Sequence, residues 1–143
     1  MTLQTVIVEQ FIKASPARVW ERISTPDGIS RWWRPGNIAP IEGHEFTMDM
    51  EKWGMVPCRV IAVEYERRLA YTFGDFELHW EIIPQGEETI LRLEHRGFDF
   101  QNPQHRFAFE NMGSGWRNVV LPRLAEGLLE VAGPVVDKIE RSA

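Results

Sequence analysis

Cysteine is nearly missing from this 143-residue chain: Cys58 stands alone. A lone thiol excludes an internal disulfide and fits a reducing compartment, so a cytoplasmic protein is expected, with Cys58 a small buried filler. Long apolar runs are missing too. Nothing approaches the roughly 20 residues that a membrane-spanning helix needs, so stable membrane insertion is not expected. The opening residues Met1-Thr2-Leu3-Gln4-Thr5 lack the basic-then-apolar order of a secretory signal. Positive charge is outnumbered, with 16 Lys and Arg against 21 Asp and Glu and a net charge of −5. A chain of that balance, with its arginines scattered among carboxylates, is a poor partner for a phosphate backbone, and no nucleic acid is expected.

Motifs of catalysis are equally sparse. The four histidines fall on different elements without the i, i+4 spacing of a helical ligand pair, so no metal is expected. There is no P-loop, no G-x-G-x-x-G and no G-x-S-x-G, so neither a cofactor nor a catalytic residue is assigned. Ser114, between Gly113 and Gly115, reads as a helix N-cap because no strand precedes it. What the chain does have is rings, with six Trp and eight Phe. Large rings are costly to leave in water and must line a core, a cavity or an interface.

Periodicity orders the elements. Thr5 to Ile12 reads as a strand. Ser15-Pro16 and Thr25-Pro26-Asp27 each give an N-cap followed by proline at the first helical position. Val19, Trp20 and Ile23 then stripe a first short helix, and Ile29, Trp32 and Trp33 a second that Pro35-Gly36 stops. From Gly43 the period becomes two. Strands are predicted over 45–50, 56–65, 69–73, 76–82 and 89–96, joined by short turns as an antiparallel meander. Each strand has an apolar and a charged face, so one side of the sheet needs a cover. Asn102-Pro103 starts that cover, Gly113-Ser114-Gly115 is expected to interrupt it, and Pro122 to kink it. Trp116, Val120, Leu124, Leu128 and Val131 continue at helical spacing until Gly133-Pro134, with a frayed tail over 135–143.

The segments 14–20 (ASPARVW), 29–33 (ISRWW), 78–84 (LHWEIIP), 89–98 (TILRLEHRGF) and 115–124 (GWRNVVLPRL) occur in this order. With them the chain resembles the helix-grip proteins of the START-like (SRPBCC) superfamily, and within it the bacterial homologues of the activator of the 90-kDa heat-shock-protein ATPase. The resemblance covers about Val6 to Ala132. It implies one α+β domain over 1–143, a curved antiparallel sheet of about six strands around a long C-terminal helix. It also implies binding of hydrophobic ligands such as lipids, polyketides and plant-type phenolics, with a few cyclases among the relatives and a link to the stress response. The eukaryotic activators carry a further N-terminal domain that these 143 residues do not contain.

A twisted sheet of this size curls. Its concave face would present Phe46, Met48, Met50, Tyr71, Phe73, Phe76, Trp80, Leu91, Leu93 and His95. Met112, Trp116 and Val120 would close the other side, with room left between them. Met48, Met50 and Met112 suit a pocket that adapts to its guest. His95 shares parity with Leu91 and Leu93, and Tyr71 offers a hydroxyl, so each could orient a ligand carbonyl or move a proton. His44 is expected in a turn near the rim, His79 and His105 in solvent, and one ring of Trp32-Trp33 at the mouth. The leading expectation is a non-enzymatic binder of a small hydrophobic molecule, monomeric or weakly dimeric. A cyclase or dehydratase and a chaperone-activating module are the alternatives.

Overall fold

The computed structural model describes residues 3–129. Strand β1 (Gln4–Ile12) is followed by α1 (Pro16–Ser24) and α2 (Pro26–Ser30). The meander is β2 (Glu45–Asp49), β3 (Met55–Glu64), β4 (Arg68–Phe73), β5 (Phe76–Gln85) and β6 (Glu88–Phe98). Helix α3 (Pro103–Gly115) leads through a wider turn at Trp116–Val120 into further helix over 121–129. All strands pair antiparallel in one curved sheet of order β1-β6-β5-β4-β3-β2. This is the α+β helix-grip architecture expected from the sequence.

Local chemistry explains the starts and stops. Ser15 accepts from the Arg18 amide, Thr25 from the Gly28 amide at 3.0 Å and Asn102 from the Gln104 amide at 2.9 Å, each with proline at the next position. Helix α2 is shorter than the apolar spacing suggested. It ends at Ser30, and Trp32 and Trp33 lie in the turn that follows, tied back by the Trp33 amide to the Ile29 carbonyl at 3.1 Å. The loop after α2 runs along the outer edge of β2. The Asp49 amide bonds the Pro35 carbonyl, the Thr47 amide bonds Asn37 Oδ1, and Gly36 bridges Met48.

Two expectations for the cover need correction. Gly113-Ser114-Gly115 does not interrupt the helix, and Ser114 is no N-cap: it lies inside the helix, where its hydroxyl accepts from Asn118 Nδ2 at 3.2 Å. Gly113 faces β1, where a Cβ would make an ordinary contact, 3.4 Å from a methyl of Val6. Pro122 is accommodated by a wider turn just before it. The Leu121 amide bonds the Trp116 carbonyl, five residues back, which makes one π turn over Trp116–Val120. Leu121 closes that turn, and the next residue is Pro122, which has no amide to give to Asn118. Val131, Gly133-Pro134 and the 135–143 tail lie outside the described residues.

Candidate functional site

The concave face is built row by row across the sheet. Val60, Tyr71, Leu78, His95 and Val6 are successive cross-strand partners from β3 to β1. The next row runs Leu69, Trp80, Leu93 and Val8, and on the other side Phe46, Cys58, Phe73 and Phe76. These positions share one face because side chains alternate along each strand. No Lys, Arg, Asp or Glu stands among them.

Of the expected ligand-facing residues, Met48, Tyr71, Leu91, Leu93 and His95 are wholly buried and Phe46, Phe73, Trp80 and Trp116 nearly so. Met50, Phe76, Met112 and Val120 are half-buried and packed against that core. The structure therefore brings these side chains together. The chain's own rings take up part of the space expected between sheet and helix. Trp33 lies 4.9 Å from Trp116 and 5.4 Å from Phe73, and Trp116 lies 5.6 Å from Trp80. Two surface grooves, of about 510 and 220 Å³, are lined mainly by outward-facing residues of β2–β4 and of β4–β6. Neither lies between the sheet and the helix.

Polar groups in the interior are few. The Trp80 indole N–H donates to the Tyr71 hydroxyl at 3.2 Å, and burial pushes the Tyr71 phenol far above its ordinary range. The Trp116 indole N–H donates to His95 Nδ1 at 3.0 Å, while His95 Nε2 has no partner. Burial pushes the His95 imidazole down to about 3, so it is neutral at ordinary pH. Cys58 is the buried filler expected, its thiol pushed up to about 12 by burial.

The other histidines correct the sequence reading in part. His44 does sit in the turn, its Nε2 2.9 Å from the Asn37 carbonyl, stacked on Phe46. His79 is on the outer face but largely covered, 2.8 Å from Glu77, and His105 is packed on Phe76 and accepts from the Asp99 amide at 3.0 Å. Neither faces solvent freely, because flanking charged and aromatic side chains fold over them. Of the tryptophan pair, Trp32 is buried against Trp80 with its N–H on the Arg22 carbonyl, and Trp33 is the partly exposed ring.

Phe98 was not anticipated, yet it stacks at 4.5 Å on Phe76 and 4.7 Å from His95. Simple alternation along β6 would turn it outward. Gly97, at φ +106°, inserts a bulge opposite the Gln4–Thr5 register shift and reverses the parity. A glycine inside a strand pattern was the available signal. Among the described residues no group of His, Cys, Asp and Glu is arranged to hold a metal ion, and no helix is long and apolar enough to cross a membrane.

The family model described as Activator of Hsp90 ATPase homolog 1-like protein matches residues 13–128. No curated protein matches the sequence. Among solved structures, protein MLL2253 from Mesorhizobium loti is 28% identical, with a TM-score of 0.76 over 90% of this chain and 98% of that one. CalU16 from Micromonospora echinospora is 22% identical, with a TM-score of 0.73 over 98% of this chain and 83% of its own. The Aha1 dimer from Colwellia psychrerythraea is 16% identical, with a TM-score of 0.59 over 80% and 97%. The last two share the fold.

Proposed function

Because this chain belongs to the family of Activator of Hsp90 ATPase homolog 1-like proteins, we propose that it binds a small hydrophobic molecule, aromatic, polyketide or lipid-like, between the concave face of its sheet and the helix that crosses it. Family and fold support a ligand-binding domain in general terms; the guest and its seat are our reading. The observation that carries it is an unequal interface. The sheet side is apolar, ring-rich and sealed, whereas in α3 only Gly113 is fully buried and Ala108, Phe109 and Met112 are half-buried against the core, the deep anchors Trp116, Leu121, Leu124 and Leu128 lying beyond it. A cover whose first half is held mainly by half-buried side chains can lift there while its second half stays anchored, and Trp33 and Trp116 would then close on an apolar guest in place of one another.

The test is a titration with a fatty acid, a flavone and an aromatic polyketide, following indole resonances by NMR. Binding shifts the Trp33, Trp80 and Trp116 indoles and leaves exposed Trp53 in place. A panel that moves none of the three refutes the reading. Acid–base turnover is the less supported alternative, because burial disfavours the charged forms of both His95 and Tyr71. The family's description favours a second reading, stimulation of a 90-kDa chaperone ATPase. Adding the purified chain to that chaperone from the same host would accelerate ATP hydrolysis if it holds, and an unchanged rate counts against it.

A further inference from the structure

His95 carries more information than an apolar filler in its place would. A neutral imidazole has a single N–H, and indole nitrogen can only donate. With the Trp116 N–H directed at Nδ1 at 3.0 Å, Nδ1 is the acceptor and the ring hydrogen must reside on Nε2. Among the described residues that Nε2–H has no acceptor, although the residue is fully buried. The rings against the imidazole are Phe73, Phe76, Phe98 and Trp116, none of which has an acceptor to offer. Buried donors left unpaired are rare in native proteins and call for an explanation.

Resting on the binding reading above, we propose that His95 presents its Nε2–H to a carbonyl oxygen of an uncharged aromatic guest, with Trp116 as the positioning residue that fixes the tautomer. The charge follows from the surroundings. A carboxylate brought to this face would meet no Lys or Arg, and an unpaired buried anion is disfavoured. The imidazole cannot supply the countercharge either, since burial keeps it neutral. Tyr71 lies in the same cross-strand row, separated from His95 by Leu78. Its hydroxyl accepts from Trp80 and has its own hydrogen unspent, which gives the guest a second donor of the same neutral kind.

The experiment compares 9-fluorenone with fluorene, two tricyclic molecules of nearly the same shape of which only the first has a carbonyl. Fluorene-9-carboxylate serves as the charged counterpart. Protein labelled with ¹⁵N-histidine is first observed without ligand at pH 7, where long-range ¹H–¹⁵N correlations are expected to show His95 protonated at Nε2. Titration is then expected to give fluorenone roughly tenfold tighter binding than fluorene, the size of one well-placed hydrogen bond. It should also shift the His95 Nε2–H and leave the carboxylate weakest. His95→Phe should bring fluorenone and fluorene to equal affinity, and Trp116→Phe should blur the tautomer and reduce the ratio. Equal binding of fluorenone and fluorene by the unaltered protein overturns this inference and leaves the hydrophobic-binder reading standing. Binding of neither overturns the inference, and the hydrophobic-binder reading then stands or falls with the fatty acid, flavone and polyketide panel. Protonation at Nδ1, or tightest binding by the carboxylate, overturns the inference whether or not the variants fold.

Discussion

At the scale of single residues the interior makes two measurable commitments. His95 is neutral when folded, with its pKa near 3 against an ordinary 6.5. The unfolded chain therefore takes up a proton that the folded chain refuses as pH falls below about 6.5, the ordinary histidine value. The protection is complete above that pH and is lost progressively down to about 3, at a limiting slope of about 1.4 kcal/mol per pH unit. Urea denaturation of the native chain and of His95→Phe at pH 7, 6 and 5 should show the native chain losing stability faster across this window. Parallel pH profiles would contradict it. Tyr71 makes the second commitment. Tyr71→Phe removes the acceptor of the Trp80 N–H and should cost about 1–3 kcal/mol, the penalty of a buried donor left unpaired. The same denaturation experiment reads it.

Among the elements, the helices are where substitutions should discriminate best. Gly115 has helical backbone angles and open space where a Cβ would go. Gly115→Ala should therefore stabilise by about 1 kcal/mol, raising the thermal midpoint. Gly28 is the opposite case. A Cβ there would lie 2.2 Å from the Glu21 carbonyl oxygen, so Gly28→Ala must pry α2 from α1 and should destabilise by about 1–3 kcal/mol. The difference in sign separates a glycine kept for contact from one that is not. The strands were legible because period two survives wherever one face is covered, and the starts of α1, α2 and α3 because cap and proline are adjacent in sequence. The unbroken helix through Gly113 and Gly115 was not legible. Gly113 packs beside Val6 on another element and Gly115 faces open space, and only packing reveals that.

For the molecule as a whole, the unequal interface sets an order of opening. The central strands pair on both sides and carry the sealed core, whereas α3 holds to it through Gly113 and the half-buried Ala108, Phe109 and Met112. Native-state hydrogen exchange should release the α3 amides well before those of β4, β5 and β6, by at least about an order of magnitude in rate. A bound aromatic guest should narrow that gap, and indistinguishable rates would remove the lifting helix from the account. The residues of the candidate site were legible as a set, since Phe46, Tyr71, Phe73, Trp80, Leu93 and His95 share strand parity. Whether the concavity stands open was not. That depends on how Trp33 and Trp116, from segments more than eighty residues apart, turn their rings toward each other.

The loop laid along β2 has a further effect on how copies of this chain can meet. A sheet normally has two borders at which a foreign strand could join, and repeated joining at both builds a fibre. Here one border is occupied from within by Pro35, Gly36 and Asn37, so β1 is the border left among the described residues. Association through a single border consumes the surface it uses. Two copies joined back to back in that way would leave nothing for a third to extend.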